Sequence, residues 1–162
     1  MGLGKATILS VLLFLGGCGS NAVSGAGESD VSAKPPANLQ EARQLWRESG
    51  VVNYSVTAQM TCYCPQELVQ PIRLIVEQGT VVSSKGLEQP LKNLTEDGAQ
   101  RLTVDGLFLF IEKAVGKNVE TLEVSYDRNY GYPMFINYDG HAMIADDERQ
   151  YRLTDFEPLP DS

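Results

Sequence analysis

The pattern of apolar and polar residues predicts a helix followed by three strands, and then the same order a second time. The first helix begins after the capping residue Asn38 and ends at Gly50. Its apolar face has helical spacing: Leu39, Ala42, Leu45 and Trp46. The second helix begins after Thr103 and ends at Gly116. Its apolar stripe is wider, so we expect this helix to be well buried: Val104, Leu107, Phe108, Leu109, Phe110, Ile111 and Val115.

Six other segments have the composition or the alternation of strands. Every second residue of the segment 52–60 is apolar, which predicts a strand with one buried face and one solvent-exposed face. If this strand continues, the same parity brings Cys62 and Cys64 to the buried face. The predicted strands are 52–61, 72–76, 80–84, 120–126, 134–139 and 150–156. The predicted fold class is therefore α+β, an antiparallel sheet covered by two helices in the order α-βββ-α-βββ.

The N-terminal residues have the composition of a secretory signal. Lys5 precedes an apolar run over residues 6–15, which is too short to cross a bilayer as a helix. The run ends in Leu15-Gly16-Gly17-Cys18, which resembles the lipobox of bacterial lipoproteins. This resemblance implies cleavage before Cys18, a diacylglyceryl group on its thiolate and a third acyl chain on its amine. We expect an outer-membrane protein that faces the periplasm, or a cell-membrane protein if the source has no outer membrane.

Composition divides the chain into three parts and limits its partners. Residues 1–17 are the predicted signal peptide, 18–37 the lipidated cysteine with a flexible tether rich in Gly, Ser and Pro, and 38–162 one globular domain. The chain has 21 acidic and 13 basic residues and a formal net charge of −8. No basic residues cluster, so we exclude nucleic acid as a partner. The expected partners are the membrane, through the acylated Cys18, and another envelope protein.

The clearest candidate for a chemical role is the sequence Cys62-Tyr63-Cys64-Pro65, which allows three interpretations. An exported domain favours a disulfide, but residues i and i+2 of a regular strand are about 6–7 Å apart, at the upper limit of disulfide geometry. The bond therefore needs a local turn. Alternatively, the pair could act in thiol redox chemistry or bind Cu(I) or Zn(II) with His141 and carboxylates. The cysteines could also be inert. We place the structural disulfide first.

A tyrosine-rich turn joins the fourth and fifth predicted strands. Tyr126, Asp127, Tyr130 and Tyr132 are candidates for a binding surface, because tyrosine is common where proteins bind partners. The turn residues in this segment also explain it without any binding role, and the rings can pack while their hydroxyl groups reach water. We prefer this second interpretation.

Acidic residues follow the fifth predicted strand. Asp139, Asp146 and Asp147 are weak candidates for Ca²⁺ ligands, although such a run is more often a solvated loop. We commit to no metal and no cofactor. His141 is the only histidine, and the chain contains neither G-x-S-x-G nor H-E-x-x-H. We therefore expect a protein that is not an enzyme, with a binding or structural role.

Several of these features together resemble a bacterial lipoprotein family that is known only as a domain of unknown function, number 6174. The features are the tryptophan in the first helix, Cys62-x-Cys64-Pro65, the Gly131-Tyr132-Pro133 turn and the acidic residues after it. The likeness extends over residues 42–158. The resemblance supports the domain boundaries and implies no activity, substrate or catalytic residue.

Overall fold

The computed structural model describes residues 34–160. The predicted signal peptide, Cys18 and most of the predicted tether lie outside these residues. Residues Ser32–Ser162 form one compact unit. The buried hydrophobic core lies within this unit, between Ala42 and Leu153. A segment with its own core has what it needs to fold by itself, so residues 32–162 are a suitable fragment for solution experiments.

The structure confirms the predicted α+β class and its order of elements. The two main helices and six strands are α1 (Leu39–Ser49), β1 (Tyr54–Thr61), β2 (Ile72–Glu77), β3 (Thr80–Gly86), α4 (Val104–Val115), β4 (Thr121–Tyr126), β5 (Pro133–Asp139) and β6 (Arg149–Pro158). Two short helices, α2 (Gln66–Val69) and α3 (Glu96–Gln100), lie in the connections. The sequence pattern does not predict them, because four or five residues are too few to show a helical period.

The six strands form one antiparallel sheet in the order β3-β2-β1-β6-β5-β4. The first strand and the last therefore pair in the centre, with Ala58 opposite Leu153. Gln78 and Gly79 form the predicted tight turn between β2 and β3, and both have positive φ angles. Among the residues that the structure describes, none of the helices is long and apolar enough to cross a membrane.

The main helices begin and end where the sequence predicts. The Asn38 side chain accepts a hydrogen bond from the Glu41 N–H at 3.0 Å, and Thr103 Oγ1 accepts from the Gly106 N–H at 3.0 Å. Each bond satisfies an N–H group that has no partner within the helix. Gly50 ends α1 in the left-handed conformation, with a φ of 65°.

One face of the sheet carries the hydrophobic core and is covered by the two helices. Four residues of α4 belong to this core, Val104, Leu107, Phe108 and Ile111, and Phe110 packs against it. The prediction of a wider buried stripe was wrong, because Leu109 is 50% exposed and Val115 is 63% exposed. These two side chains point away from the sheet, since a helix packed on one surface buries only part of its circumference.

The other face of β1 was predicted to be solvent-exposed, and this holds for Thr61 but is wrong for the centre of the strand. Ser55 and Thr57 are buried although they are polar. The Arg73 guanidinium lies on this face and donates to Ser55 Oγ at 2.7 Å and to Thr57 Oγ1 at 3.3 Å. The stem of a long charged side chain can cover neighbouring residues while its head remains hydrogen-bonded. Arg73 thus covers Ser55 and Thr57 on the face of the sheet opposite the hydrophobic core.

A β-bulge in β6 changes which face its last residues occupy. Ser55 pairs with Glu157 whereas Thr57 pairs with Thr154, so two residues of β6 lie opposite Val56. One of the two, Asp155, has a φ of 49°. Its carbonyl oxygen accepts a hydrogen bond of 2.8 Å from Arg73. The other is Phe156, which the bulge turns toward the aromatic side chains of the core: Trp46, Tyr54, Tyr130 and Tyr132.

Candidate functional site

A cleft of about 380 Å³ lies at the end of the sheet where β1 leaves it and β6 begins. We call it the disulfide cleft, and its lining includes Cys62, Tyr63, Tyr138, Asp139, Glu148 and Arg149. Two of the regions that the sequence identifies as chemically interesting, the cysteine pair and the acidic loop, thus meet at one site. They come together because β1, β5 and β6 are neighbours in the sheet.

Cys62 and Cys64 form a disulfide, which confirms the interpretation that we placed first. The turn that such a bond requires is present. β1 ends at Thr61, the Cys64 N–H donates to the Cys62 carbonyl at 2.9 Å, and the two Cα atoms are 5.2 Å apart. The prediction that strand parity would bury both cysteines was wrong, because the strand ends before them. Cys62 is half-buried and Cys64 is exposed.

The disulfide limits the chemistry of the pair. Metal binding by cysteine requires the thiolate, and neither sulfur is a thiolate while the bond exists. Within residues 34–160, no three side chains of His, Cys, Asp or Glu are grouped so that they could hold a metal ion. Thiol–disulfide exchange remains chemically open to the pair, because Cys64 is accessible at the surface.

The disulfide also fixes the presentation of the residue between the two cysteines. The Tyr63 side chain is 87% exposed. A tyrosine contributes a large contact area for few rotatable bonds, and the short covalent ring restricts the backbone that carries it. Tyr63 is therefore a rigidly mounted aromatic side chain at the rim of the disulfide cleft. The sequence did not predict this role for Tyr63, because the exposure of its side chain depends on the end of β1 at Thr61.

The acidic loop after β5 is organised by hydrogen bonds within the loop. Asp139 Oδ1 accepts from the His141 N–H at 3.0 Å, and His141 Nδ1 accepts from the Met143 N–H at 3.2 Å. Asp146 is exposed, and Asp147 belongs to a short 3₁₀ helix (Ala145–Asp147). The predicted weak Ca²⁺ ligands are thus on one loop without forming a ligand cage. A role for them in binding cations stays a prediction.

Two large apolar side chains on the same loop are exposed. Met143 is 87% exposed, and Ile144 beside it is 51% exposed. The loop begins and ends at Asp139 and Glu148, which line the disulfide cleft. Large apolar side chains that are grouped at an otherwise polar surface are typical of interaction sites. The acidic loop is therefore of interest for its apolar residues as well as for its carboxylates.

The tyrosine-rich turn has mainly a packing role. Tyr126 and Tyr132 are buried, and burial raises the pKa of each hydroxyl to about 12. Asp127 Oδ1 accepts from the N–H groups of Asn129 at 2.8 Å and Tyr130 at 2.7 Å, which closes the turn. This arrangement agrees with the packing interpretation that we preferred. A binding role for Tyr126, Asp127, Tyr130 and Tyr132 stays a prediction.

A second cleft, of about 590 Å³, lies between α3, α4 and the start of β6. We call it the helix cleft, and its lining includes Arg101, Leu109, Phe110, Lys113, Arg149 and Tyr151. Arg149 lines both clefts, so the two adjoin. The sequence does not predict this site, because its three basic residues come from different elements and converge only in the folded domain.

The fold and the two clefts define an α+β domain with adjoining surface sites beside a disulfide loop. A family model described as "Family of unknown function (DUF6174)" matches residues 38–158, and the chain belongs to this family. No curated protein and no solved structure matches the chain significantly. The family carries no functional assignment, so function has to be argued from the sites.

Proposed function

We propose that this chain is an exported lipoprotein, anchored in the envelope through Cys18, whose domain binds another envelope protein without catalysing a reaction. The observation that carries the proposal is the disulfide between Cys62 and Cys64 at the rim of a surface cleft. Disulfides persist in oxidising compartments such as the periplasm and are rare in the cytosol. The bond therefore supports export, and Leu15-Gly16-Gly17-Cys18 supports the lipid anchor.

The surface around the disulfide cleft supports the binding role. Tyr63 is exposed on the disulfide loop, and Met143 and Ile144 are exposed on the acidic loop. Aromatic and methionine side chains are enriched in protein interfaces. The lining of the disulfide cleft includes the polar side chains of Asp139, Glu148 and Arg149, which can form hydrogen bonds. An interface with exposed apolar side chains around a polar cleft fits a protein partner.

Metabolic labelling with a radioactive fatty acid tests the lipid anchor. The wild-type chain should take up the label and fractionate with membranes, and Cys18→Ala should lose both properties. Cys62→Ser/Cys64→Ser is the matched control, because it removes cysteines while it leaves Cys18 in place, and it should be labelled like the wild type. An unlabelled wild-type chain, or a labelled Cys18→Ala chain, would refute the lipid anchor.

Site-specific photocrosslinking in intact cells tests the binding surface. A photoreactive amino acid at position 63 or 143 should give the same partner, as identified by mass spectrometry of the adduct. Val82 is the control position, because it is 54% exposed on the edge strand β3 and lines neither cleft. If positions 63 and 143 give no adduct, or give only the products seen from position 82, the surface has no specific partner and the binding proposal fails.

A further inference from the structure

The helix cleft concentrates positive charge in an acidic protein. Arg101, Lys113 and Arg149 all line it, although the chain has a formal net charge of −8. The ion pairs within residues 34–160 are Arg43–Glu112 and Arg73–Glu157, and neither involves these three side chains. Among the described residues, therefore, no carboxylate lies within ion-pair distance of these three positive charges. Arginine and lysine in such a position are the usual ligands of carboxylate and phosphate groups.

Arg101, Arg149 and Tyr151 line the helix cleft together. Arg149 and Tyr151 are two residues apart in β6, so their side chains lie on the same face of the strand. Burial raises the pKa of Tyr151, while a hydrogen bond from Arg149 and the positive charges of Arg149 and Arg101 act in the opposite direction, which agrees with this arrangement. A guanidinium presents several N–H donors, and one contact to a hydroxyl leaves most of them free. Both arginines therefore have donors for an anion in the cleft beside Tyr151.

The same cleft has an apolar wall formed by α4. Leu109 is 50% exposed within the lining. Beside it, the Phe110 ring contacts Tyr151, with 5.0 Å between the ring centroids, and contacts Tyr138 at 5.1 Å. Gly106, Leu109, Phe110 and Lys113 follow one another at helical spacing, so the wall is a continuous stripe along the helix. A volume of about 590 Å³ is in the range of small-molecule sites.

The acidic residues that line the helix cleft do not neutralise its positive charge. Asp97 and Asp105 also line it. Asp105 Oδ1 accepts the indole N–H of Trp46 at 3.3 Å and lies in the first turn of α4, where the helix dipole favours a carboxylate. Asp97 is in α3 and has no ion pair within residues 34–160. Three cations and two carboxylates leave the cleft with an excess of positive charge.

We propose that the helix cleft binds an amphipathic anion, a carboxylate or phosphate that carries an apolar chain or ring. Arg101 and Arg149 hold the anionic group beside Tyr151, and Leu109 and Phe110 contact the apolar part. This inference does not depend on the lipid anchor or on a protein partner at the disulfide cleft. It assigns a ligand class to the helix cleft, which adjoins the disulfide cleft at Arg149.

Calorimetric titration of residues 32–162 with octanoate and with octyl phosphate tests the proposal. At least one of the two should bind saturably, and the preferred headgroup distinguishes a fatty-acid-like ligand from a lipid-phosphate-like ligand. Acetate lacks the apolar chain and 1-octanol lacks the charge, so both should bind more weakly. Absence of saturable binding of both anions at millimolar concentration would overturn the proposal, as would equal binding of 1-octanol.

Substitutions then locate the site. Arg149→Gln and Arg101→Gln should each weaken binding of the preferred anion about tenfold or more, because each removes a charge-assisted hydrogen bond. Leu109→Ser should weaken binding of the octyl anion and leave acetate unaffected. Arg152→Gln is the matched control, since Arg152 is on the same strand but stacks on Phe135, 4.9 Å from its ring centroid, on the face opposite the hydrophobic core. It should bind like the wild type.

Two further measurements keep this test decisive. If a glutamine variant fails to fold, Arg149→Lys can be measured in its place, because it retains the positive charge. Without any substitution, the affinity of the wild type for the preferred anion should fall as ionic strength rises. In methyl NMR spectra, the chemical shifts of the Leu109 methyl groups should change on addition of octanoate. Unchanged affinity in both glutamine variants, or shifts confined to residues outside the helix cleft, would refute the site.

Discussion

The hydroxyl oxygen of Tyr54 accepts the backbone N–H of Val104 at 3.1 Å, and both residues are almost completely buried. Val104 is the first residue of α4, and its N–H group has no acceptor within that helix. A side chain from the central strand β1 thus completes the start of the helix that covers the sheet. The bond ties the two halves of the fold together at a point that water does not reach.

Tyr54→Phe should therefore destabilise the domain more than the loss of one oxygen atom suggests. The substitution leaves the Val104 N–H buried without a partner, which costs about 1–3 kcal/mol in the free energy of unfolding. Urea denaturation of residues 32–162 measures the difference. Tyr63→Phe is the control, because Tyr63 is exposed and should give the wild-type midpoint. Equal midpoints for all three proteins would mean that the N–H group finds another acceptor.

A comparison of two glycine substitutions should separate backbone strain from close packing. Gly50 and Gly131 both have positive φ angles, of 65° and 79°. A Cβ atom on Gly50 would meet nothing within 4 Å, whereas one on Gly131 would lie 2.5 Å from the Ala42 carbonyl oxygen. Gly50→Ala should cost about 1–2 kcal/mol from the left-handed conformation alone.

Gly131→Ala should cost about 1–3 kcal/mol more than Gly50→Ala, because the tyrosine-rich turn must also move away from α1. Thermal unfolding of both variants, followed by circular dichroism, provides the measurement. The same loss of stability in the two variants would show that the turn can shift without cost.

Loss of the Cys62–Cys64 disulfide should have only a small effect on stability. The bond closes a very short loop. In the chain-entropy model such a loop contributes about 1.5 kcal/mol, less than a bond between distant residues. Cys62→Ser/Cys64→Ser should therefore remain folded, with a slightly lower urea midpoint. An unfolded double variant would contradict this expectation.

The redox interpretation of Cys62 and Cys64 is tested by a different measurement. A protein that works by thiol–disulfide exchange should pass reversibly between the dithiol and the disulfide in glutathione buffers of periplasmic poise, as measured by trapping the free thiols with an alkylating agent. A structural disulfide stays oxidised under these conditions, with a mass two hydrogen atoms below that of the dithiol. A persistent disulfide would exclude redox function and leave Tyr63 as the reason for the loop.

The buried tyrosines should make the domain sensitive to alkaline pH. Burial raises the pKa of Tyr126 and of Tyr132 from the usual value of about 10 to about 12. The unfolded chain therefore loses these protons at lower pH than the folded chain, so the free energy of unfolding falls as pH rises from about 10 towards 12. Tyr126→Phe and Tyr132→Phe should each reduce this dependence, measured as urea midpoints across that range. An unchanged slope would mean that other groups cause the alkaline loss.

The order of helices and strands could be predicted because the evidence for it is local. Asn38 and Thr103 cap helices by contacts within four residues, and the apolar alternation around Val56 belongs to a single strand. The burial of Ser55 and Thr57 could not be predicted in this way, since it depends on Arg73 from the neighbouring strand. A period of two residues shows which side chains share a face, but it does not show what covers that face.

The candidate sites also differ in whether the evidence for them is local in the sequence. The cysteine pair was recognisable because its chemistry lies in adjacent residues, although the end of the strand at Thr61 was not. The helix cleft could not be predicted from the sequence, because Arg101 and Arg149 belong to distant segments that come together only in the folded domain. Sites assembled across a fold require knowledge of strand order, which no single segment contains.

The bulge at Asp155 allows two apolar residues that are three positions apart, Leu153 and Phe156, to occupy the same face of the last strand. Residues after the bulge are one position out of step with those before it, and this offset directs Phe156 into the aromatic cluster and Glu157 to within 3.9 Å of Arg73. Deletion of Asp155 would restore regular alternation and leave Phe156 opposite Val56 and Glu157 opposite Ser55, because one residue would then replace the two of the bulge. The deletion would remove the carbonyl oxygen that accepts from Arg73. Relatives that keep this aromatic cluster should therefore have either one or two residues between positions 153 and 156.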